Sequence, residues 1–209
     1  VFISFEGIDG SGKSCLADLV AKWLIGQGYQ VVMTREPGGS QLGQALRQQL
    51  LESNFGSLDP FSETLLFLAD RSRHVEEVIK PALAARKIVI SDRFIDSTIA
   101  YQGGGRGLDI AQLQTLNQFA IKGCAPDLTV FFSVSLEIAL NRQDSAKDRM
   151  ELEDSSFFAR VASVYEDLAK AEPLRIKKID GNSDRYSVLE LVKPVIRELL
   201  QAKGDQFAK

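Results

Sequence analysis

The segment Gly7-Ile8-Asp9-Gly10-Ser11-Gly12-Lys13-Ser14 has the G-x-x-x-x-G-K-S spacing of a phosphate-binding loop. In such a loop, successive backbone N–H groups point at polyphosphate oxygens, and glycines keep side chains out of their way. The lysine reaches the β- and γ-phosphates, and the serine hydroxyl can bind Mg²⁺. A strand-like run, Phe2–Phe5, precedes the segment, and a helical apolar pattern, Leu16–Leu24, follows it. The whole segment is therefore predicted to bind the polyphosphate of a nucleotide, with Lys13 as a catalytic cation and Ser14 as a metal ligand.

Composition fits an ordinary enzyme domain. The chain has 209 residues, of which 44% are hydrophobic and 25% are charged, which predicts one catalytic domain over residues 1–209. A formal net charge of −3 disfavours a general nucleic-acid binder and favours a small-molecule partner. Cys15 and Cys124 lie far apart, which argues against a disulfide framework or zinc site and favours the reducing cytoplasm. Because the sequence shows neither a signal peptide nor a long apolar run, we expect no membrane segment.

Short β-branched runs alternate with longer helical patterns along the chain. The strand-like runs are Phe2–Phe5, Val31–Thr34, Ile88–Ser91, Leu128–Phe132 and Ile176–Ile179. Further helical patterns lie near Gln41–Glu52, Glu63–Arg86, Ile110–Lys122, Leu136–Asn141, Ser155–Lys170 and Val188–Ala202. This alternation predicts an α/β fold of the P-loop NTPase type, with about five parallel strands and helices on both faces. The glycine-rich stretch Gly103–Gly107 is predicted to be a loop.

Polar residues follow the strand-like runs, at the edge where open α/β sheets bind ligands. Asp92 closes the third run and is a candidate Mg²⁺ ligand, although a carboxylate there could equally accept loop N–H bonds. Arg93 suits a second phosphate because its guanidinium is planar and forked. Phe67 and Arg71 are one helical turn apart and could hold a base, or could belong to an apolar face and a solvated face. A GTPase switch is disfavoured because no N-K-x-D sequence occurs, and the chain is short for a mechanical ATPase.

Several further motifs occur in a fixed order after the phosphate-binding loop. They are T-R-E-P-G-G over 34–39, F-L-A-D-R over 67–71, D-R-F over 92–94 and A-Y-Q-G-G-G over 100–105. With them the chain closely resembles the bacterial thymidylate kinases over nearly its whole length. The resemblance implies transfer of the γ-phosphoryl group of ATP to dTMP, giving dTDP, with Mg²⁺ and as a homodimer. It places the dimer contact beside Phe67–Leu83 and Asp109–Gly123.

The resemblance also implies roles for individual residues. It places Asp9 near the sugar 3′-hydroxyl, Arg93 and Arg47 on the acceptor phosphate, and Phe67 against thymine. It implies that Arg71 and Thr98 bind the polar edge of the base, that Tyr101 and Gln102 complete the pocket, and that Pro37 forms a wall near the base methyl. His74 is interpreted as structural, because a phosphate acceptor is already anionic and needs no base.

A short lid is expected at about residues 142–151. Relative to the family pattern it has few arginines, so the source of its catalytic cation is an open point. Arg149, assisted by Lys147, is the prediction for that cation, and Arg142 is expected to lie against adenine. A local ion pair of Arg149 with Asp148 or Glu151 is the alternative. The chain also departs from the common family pattern at two positions. It has Phe94 where members commonly have tyrosine or histidine, and Ser133 where many members have an aspartate.

Two rival functions remain from the sequence. A deoxynucleoside kinase would phosphorylate a sugar hydroxyl and would need a carboxylate base, for which Glu6 or Glu36 could be proposed. A nucleotide-binding regulatory module would hydrolyse ATP slowly and act through a partner.

Overall fold

The computed structural model describes residues 1–51, 58–142 and 148–204. Its centre is a five-stranded sheet in the order β2-β3-β1-β4-β5, in which every neighbouring pair is parallel. The strands are β1 Phe2–Glu6, β2 Val31–Arg35, β3 Ile88–Asp92, β4 Leu128–Ser133 and β5 Ile176–Asp180. The predicted α/β class and the five strand positions are confirmed.

Burial explains why these segments are strands. The three central strands are buried along nearly their whole length, as continuous apolar runs require when helices cover both faces of a sheet. The outer strands β2 and β5 are only partly buried and carry more polar residues. The sequence therefore specifies which strands are central through the length of their apolar runs.

Helices surround the sheet and are connected by short segments. They are α1 Lys13–Gly26, α2 Gln41–Leu51, α3 Pro60–His74, α4 Lys80–Ala84, α5 Ile95–Thr98, α6 Ile110–Ile121, α7 Leu136–Asn141, α8 Ser155–Ala171 and α9 Arg185–Lys203. Two π-helical segments, Val75–Ile79 and Ile99–Gly105, join α3 to α4 and extend α5.

The two faces of the sheet are covered by different helices. On one face, Ile3 and Phe5 of β1 pack with α1 and α9, in a core that includes Val20 and Val192. On the other face, Phe131 of β4 packs with α8 and with the π segment Ile99–Gly105. Alternate residues of β1 and β4 therefore contribute to opposite cores, as the pleat of a strand requires.

The segment from Ile95 to Gly105 differs from its prediction. Gly103–Gly105 were predicted to lie in a loop, and this is wrong because they end a π-helical segment. A Cβ at Gly105 would lie 2.4 Å from the Phe157 ring, so the absence of side chains lets the segment pack against α8. The preceding helix α5 was missed because its residues Asp96, Ser97 and Thr98 are polar yet buried.

The predicted helix Glu63–Arg86 is present, but it starts at Pro60 and changes its hydrogen bonding at Val75–Ile79. Pro81, near the start of α4, lacks an N–H group and its ring would clash with a carbonyl four residues earlier. The π turn just before it accommodates that missing bond.

The connections at the carboxyl ends of β1, β2 and β3 meet at one edge of the sheet. The phosphate-binding loop follows β1 at the point where the neighbouring strands β3 and β4 diverge to either side, which is where such folds bind ligands. Across the described ranges, no helix is long and apolar enough to cross a membrane.

Candidate active site

The phosphate-binding loop joins β1 to α1 and is shaped by its glycines. Gly10 has φ +79°, and a Cβ there would lie 2.0 Å from the backbone oxygen of Ala139, so no other residue fits. Gly12 has φ +86° and leads directly into α1 at Lys13. The loop therefore presents its N–H groups at a helix N-terminus, which is a ready site for anions.

Lys13 is buried to 6% exposure, and its Nζ lies 3.4 Å from Asp9 Oδ1. An ammonium group that is mostly removed from water beside a phosphate-binding loop interacts strongly with incoming phosphate charge. Lys13 lines the cleft described below.

Ser14 and Asp92 meet at the ends of α1 and β3. The Ser14 hydroxyl donates a short hydrogen bond to Asp92 Oδ2. Asp92 Oδ1 is buried and has no hydrogen-bond partner among the described residues. A buried carboxylate oxygen without a partner beside a serine hydroxyl fits the oxygen ligand set that Mg²⁺ prefers. Among described residues, no cluster of three or more His, Cys, Asp or Glu side chains forms an all-protein metal site, so most ligands of such an ion would be phosphate or water.

Asp9, Arg93 and Tyr101 form a connected polar cluster next to the loop. Arg93 donates to Asp9 Oδ1, to Gly7 O at 3.0 Å and to the Tyr101 hydroxyl at 3.1 Å. The Tyr101 hydroxyl in turn donates to Asp9 Oδ2 at 2.7 Å. Burial by itself would raise the pKa of Asp9, but Arg93 and then Lys13 outweigh it and hold that pKa well below its usual value. The three groups are therefore fixed in one charge state and one geometry.

An open cleft with a volume of about 290 Å³ extends from this cluster across the carboxyl edge of the sheet. All of the predicted acceptor-site residues line it, as do the predicted donor-site and metal residues Lys13, Ser14 and Asp92. The acceptor-site residues are Asp9, Pro37, Arg47, Phe67, Arg71, Arg93, Thr98, Tyr101 and Gln102. These residues come from the three connections that follow β1, β2 and β3, which include α2 and α3.

Arg71 is held rigidly at the far end of the cleft. It is 2% exposed and donates through Nε to Glu36, through Nη1 to Thr98 and Asn117, and through Nη2 to Phe94 O at 2.8 Å. The sequence alternative that placed Arg71 on a solvated face is therefore wrong. Phe67, one turn earlier on α3, is partly exposed and lines the same cleft.

His74 lies beneath the cleft rather than in its wall. Its ring is fully buried and hydrogen bonds to Glu36 through Nδ1 at 2.9 Å and to Thr34 through Nε2 at 2.6 Å. It thereby fixes the carboxylate that also binds Arg71.

Arg47 projects from α2 toward the loop-side end of the cleft and donates to Pro37 O at 2.9 Å. Burial lowers its pKa, and the nearby Arg35 lowers it further. Arg35 also lines the cleft, although no ligand contact was predicted for it. Its position directly at the end of β2 was the signal that could have identified it.

The predicted lid residues have three different outcomes. Arg142 ends α7 and donates to the carbonyl oxygens of Gly181, Asn182 and Ser183, beside the start of α9. Arg149 donates to Glu63 Oε2 at 2.6 Å and to Leu50 O at 2.9 Å, so its partner is not Asp148 or Glu151. Lys147 lies outside the described residues.

Comparison with known proteins agrees with the geometry. A family model described as thymidylate kinase matches residues 5–192. The thymidylate kinase of Kosmotoga olearia is 45% identical over 202 residues, covering 96% of this chain and 95% of that protein. The thymidylate kinase of Solidesulfovibrio magneticus is also 45% identical and is covered over 100% of its length. The crystal structure of thymidylate kinase from Ehrlichia chaffeensis superposes with a TM-score of 0.79 at 40% identity, covering 94% of this chain and 98% of that chain. The chain therefore belongs to the thymidylate kinase family.

Proposed function

We propose that the cleft binds dTMP and that the phosphate-binding loop holds ATP, so that the γ-phosphoryl group passes between them to give dTDP and ADP. The observation that carries the proposal is the cluster of Asp9, Arg93 and Tyr101, which joins the phosphate-binding loop directly to the wall of the cleft. A donor phosphate and an acceptor phosphate would meet at this cluster. The proposal takes residues 1–209 as one catalytic domain with a lid at about 142–151.

The acceptor end of the cleft suits a pyrimidine nucleotide with one phosphate group. Arg93 and Arg47 would bind the acceptor phosphate as forked cations, for which guanidinium is better suited than ammonium. Asp9 and Tyr101 would contact the sugar. Phe67 would stack on the base, with Pro37 as the opposite wall and Arg71, Thr98 and Gln102 at the polar edge.

The donor end would consist of Gly7–Ser14 with Arg142 against adenine. Arg142 is already fixed to three carbonyl oxygens of the β5–α9 connection, which would let the flat face of its guanidinium stack on a base.

Ser14 and Asp92 would hold the Mg²⁺ that accompanies ATP. The unpartnered Asp92 Oδ1 and the adjacent Ser14 hydroxyl supply oxygen atoms of the right type. Held there, the ion would neutralise part of the phosphate charge.

Catalysis would then consist mostly of positioning and charge neutralisation. Lys13 and Arg93 would stabilise the negative charge that spreads over the transferring group. Arg149 and Lys147 would add lid cations. In the described structure Arg149 uses Nε and Nη2 for Leu50 and Glu63, which leaves Nη1 as the group able to reach a phosphate without breaking either contact.

The rival deoxynucleoside kinase needs a carboxylate that can accept a proton from a sugar hydroxyl. Glu6 is fully buried and accepts bonds from Ser97, Tyr165 and Phe94 N, so its oxygens are occupied. Glu36 is 5% exposed and bound by Arg71 and His74. Neither carboxylate is free to act as a base, which favours a phosphate acceptor.

We also propose a homodimer in the cytoplasm. Phe119 is 76% exposed on α6 and Leu65 is 45% exposed on α3, and these two helices pack side by side. Large apolar groups on adjacent helices suit an interface between copies of the chain. Both cysteines are free, as a reducing compartment permits. Light scattering of the purified chain and of a Phe119→Asp variant tests the dimer, which the substitution should dissociate.

The activity is tested by ADP release in a coupled assay with ATP and Mg²⁺. We expect release that requires dTMP and not thymidine. Release with thymidine alone would support the deoxynucleoside kinase, and slow release that no acceptor stimulates would support the regulatory module.

A further inference from the structure

Glu63 lies in the first turn of α3 and is fully buried, yet no role in binding or transfer has been given to it. Its Oε1 accepts from Gln102 Nε2 at 2.9 Å and from Arg106 Nε at 3.3 Å. Its Oε2 accepts from Arg149 Nη2 at 2.6 Å and from Arg106 Nη2 at 3.3 Å. One carboxylate therefore connects Gln102 in the cleft wall, Arg106 just after the π segment and Arg149 near the end of the proposed lid.

The chemistry of this carboxylate fixes the orientation of the Gln102 amide. Between two arginines Glu63 is an ionised acceptor, so only the NH₂ side of the amide can face it. The amide oxygen must then point away from Glu63. Because Gln102 lines the cleft together with Phe67 and Arg71, a base bound there would lie on the side that this oxygen can face.

The Gln102 amide oxygen is also available for a ligand. Within the described residues no protein donor reaches it. It is not enclosed either, since the described side-chain atoms that are both buried and unpartnered are Ser11 Oγ, Asp70 Oδ1 and Asp92 Oδ1. An accessible acceptor in a largely buried wall suits a ligand that presents an N–H group.

We propose that Glu63 is a positioning residue that fixes Gln102 as a hydrogen-bond acceptor for the N3–H group of the pyrimidine base. The inference rests on the proposed function, because it assigns the base to the Gln102 end of the cleft. In this proposal the Glu63 carboxylate has two roles: it orients the base-binding amide of Gln102, and it anchors Arg149 of the proposed lid.

Glu63→Gln is the substitution that separates this role from simple packing. The amide keeps the size of the side chain but offers one acceptor oxygen to three donor side chains, so Gln102 is no longer forced into one orientation. Glu63→Asp keeps an acceptor-only carboxylate on a shorter side chain and should retain part of the affinity for dTMP. Glu153→Gln is the matched control, because Glu153 pairs with the same Arg106 but contacts neither Gln102 nor Arg149.

The measurement is the affinity for dTMP compared with that for 2-deoxyribose 5-phosphate, which has the sugar and phosphate but no base. Glu63→Gln should weaken dTMP by about tenfold or more while leaving 2-deoxyribose 5-phosphate within about twofold, because the lost bond is to the base alone. Glu153→Gln should leave both affinities unchanged. Equal weakening of the two ligands, or no weakening of dTMP in a folded Glu63→Gln variant, would overturn the proposal.

A second measurement does not depend on whether the variant folds. In a crystal structure of the unsubstituted protein with dTMP, we expect Gln102 to bridge Glu63 and base N3. A bound base whose N3 contacts another residue overturns the inference while leaving the proposed function intact. Failure of the proposed function is distinguishable, because the unsubstituted protein would then bind dTMP no better than 2-deoxyribose 5-phosphate.

Discussion

The Tyr101 hydroxyl donates to Asp9 Oδ2 at 2.7 Å, and this contact ties a π-helical segment to the phosphate-binding loop. The same hydroxyl accepts from Arg93, whose guanidinium carbon lies 4.8 Å from the centre of the Tyr101 ring. The groups that are proposed to contact the sugar and the acceptor phosphate therefore hold each other in place.

Tyr101→Phe should relax the exclusion of ribonucleotides, because in the proposed acceptor site the hydroxyl would clash with a sugar 2′-OH. We expect the activity ratio of the ribose analogue to dTMP to rise by about tenfold. The check is kcat/KM for both acceptors in parallel. Tyr186→Phe, on an exposed side chain of α9, is the control, and an unchanged ratio in Tyr101→Phe would mean that the tyrosine only packs.

Lys13→Ala should lower kcat by on the order of a hundredfold or more, because it removes a charge directed at the transferring phosphate. The fold should survive, since the lysine contacts Asp9 and no apolar core group through its ammonium. Thermal unfolding and kcat are measured together. The control is Lys22→Ala, on the exposed face of the same helix, and near-normal turnover in Lys13→Ala would contradict the assigned site.

Arg71→Ala should raise the KM for dTMP and leave the KM for ATP nearly unchanged. The structure adds a second expected effect, because loss of the guanidinium leaves Glu36 buried without its cation. Breaking such a pair costs about 3–5 kcal/mol of unfolding free energy. Arg73→Ala, whose side chain is exposed and pairs with Glu77, should change neither quantity by much. A shift in the KM for ATP alone would move Arg71 to the donor side.

Single alanine variants of Arg149 and Lys147 should lower kcat more than they raise either KM, because lid cations act chiefly in the transition state. A loss of roughly tenfold or more is expected for Arg149. Lys170→Ala, on an exposed side chain of α8, serves as the control. Full activity in the double variant would leave Arg142 or Arg93 as the source of that charge.

Asp70 should make stability depend on pH. Burial, and then the charge of Glu36, raise its pKa to about 6 from 3.8. Because the folded state binds the proton more tightly than the unfolded state, stability falls as pH rises between about 4 and about 6. The loss is at most about 3 kcal/mol. Denaturant unfolding at pH 4.5 and pH 7 should show this fall in the native protein and a smaller one in Asp70→Asn. The same dependence of unfolding free energy on pH in the two proteins would contradict this prediction.

The sequence alone predicted the sheet and the phosphate-binding loop, because local residue patterns indicate both. Continuous apolar runs marked the buried strands, and the spacing of Gly7, Gly12 and Lys13 marked the loop. The resemblance then supplied most of the side chains that line the cleft.

The sequence was insufficient where partners lie far apart along the chain. Arg149 was expected to act as a free lid cation or to pair locally, whereas it binds Glu63, which lies 86 positions away. No spacing rule connects Glu63 to Gln102 or Arg106 either. The helical segment Ile95–Gly105 was missed because glycine is usually a helix breaker, and only its packing against Phe157 explains the glycines there.

The parallel register places Phe5 of β1 and Arg35 of β2 opposite Asp92 of β3. The proposed metal ligand Asp92 therefore lies in one row with a cleft arginine and with Phe5, two residues before the phosphate-binding loop. The row is spaced by the roughly 4.8 Å that separates hydrogen-bonded strands. Side-chain substitution can change charge and shape within that row but cannot change its spacing. Directed evolution of this enzyme toward a longer acceptor would have to act through the lid and α2–α3, because the backbone ladder that joins β1, β2 and β3 fixes the spacing of this row.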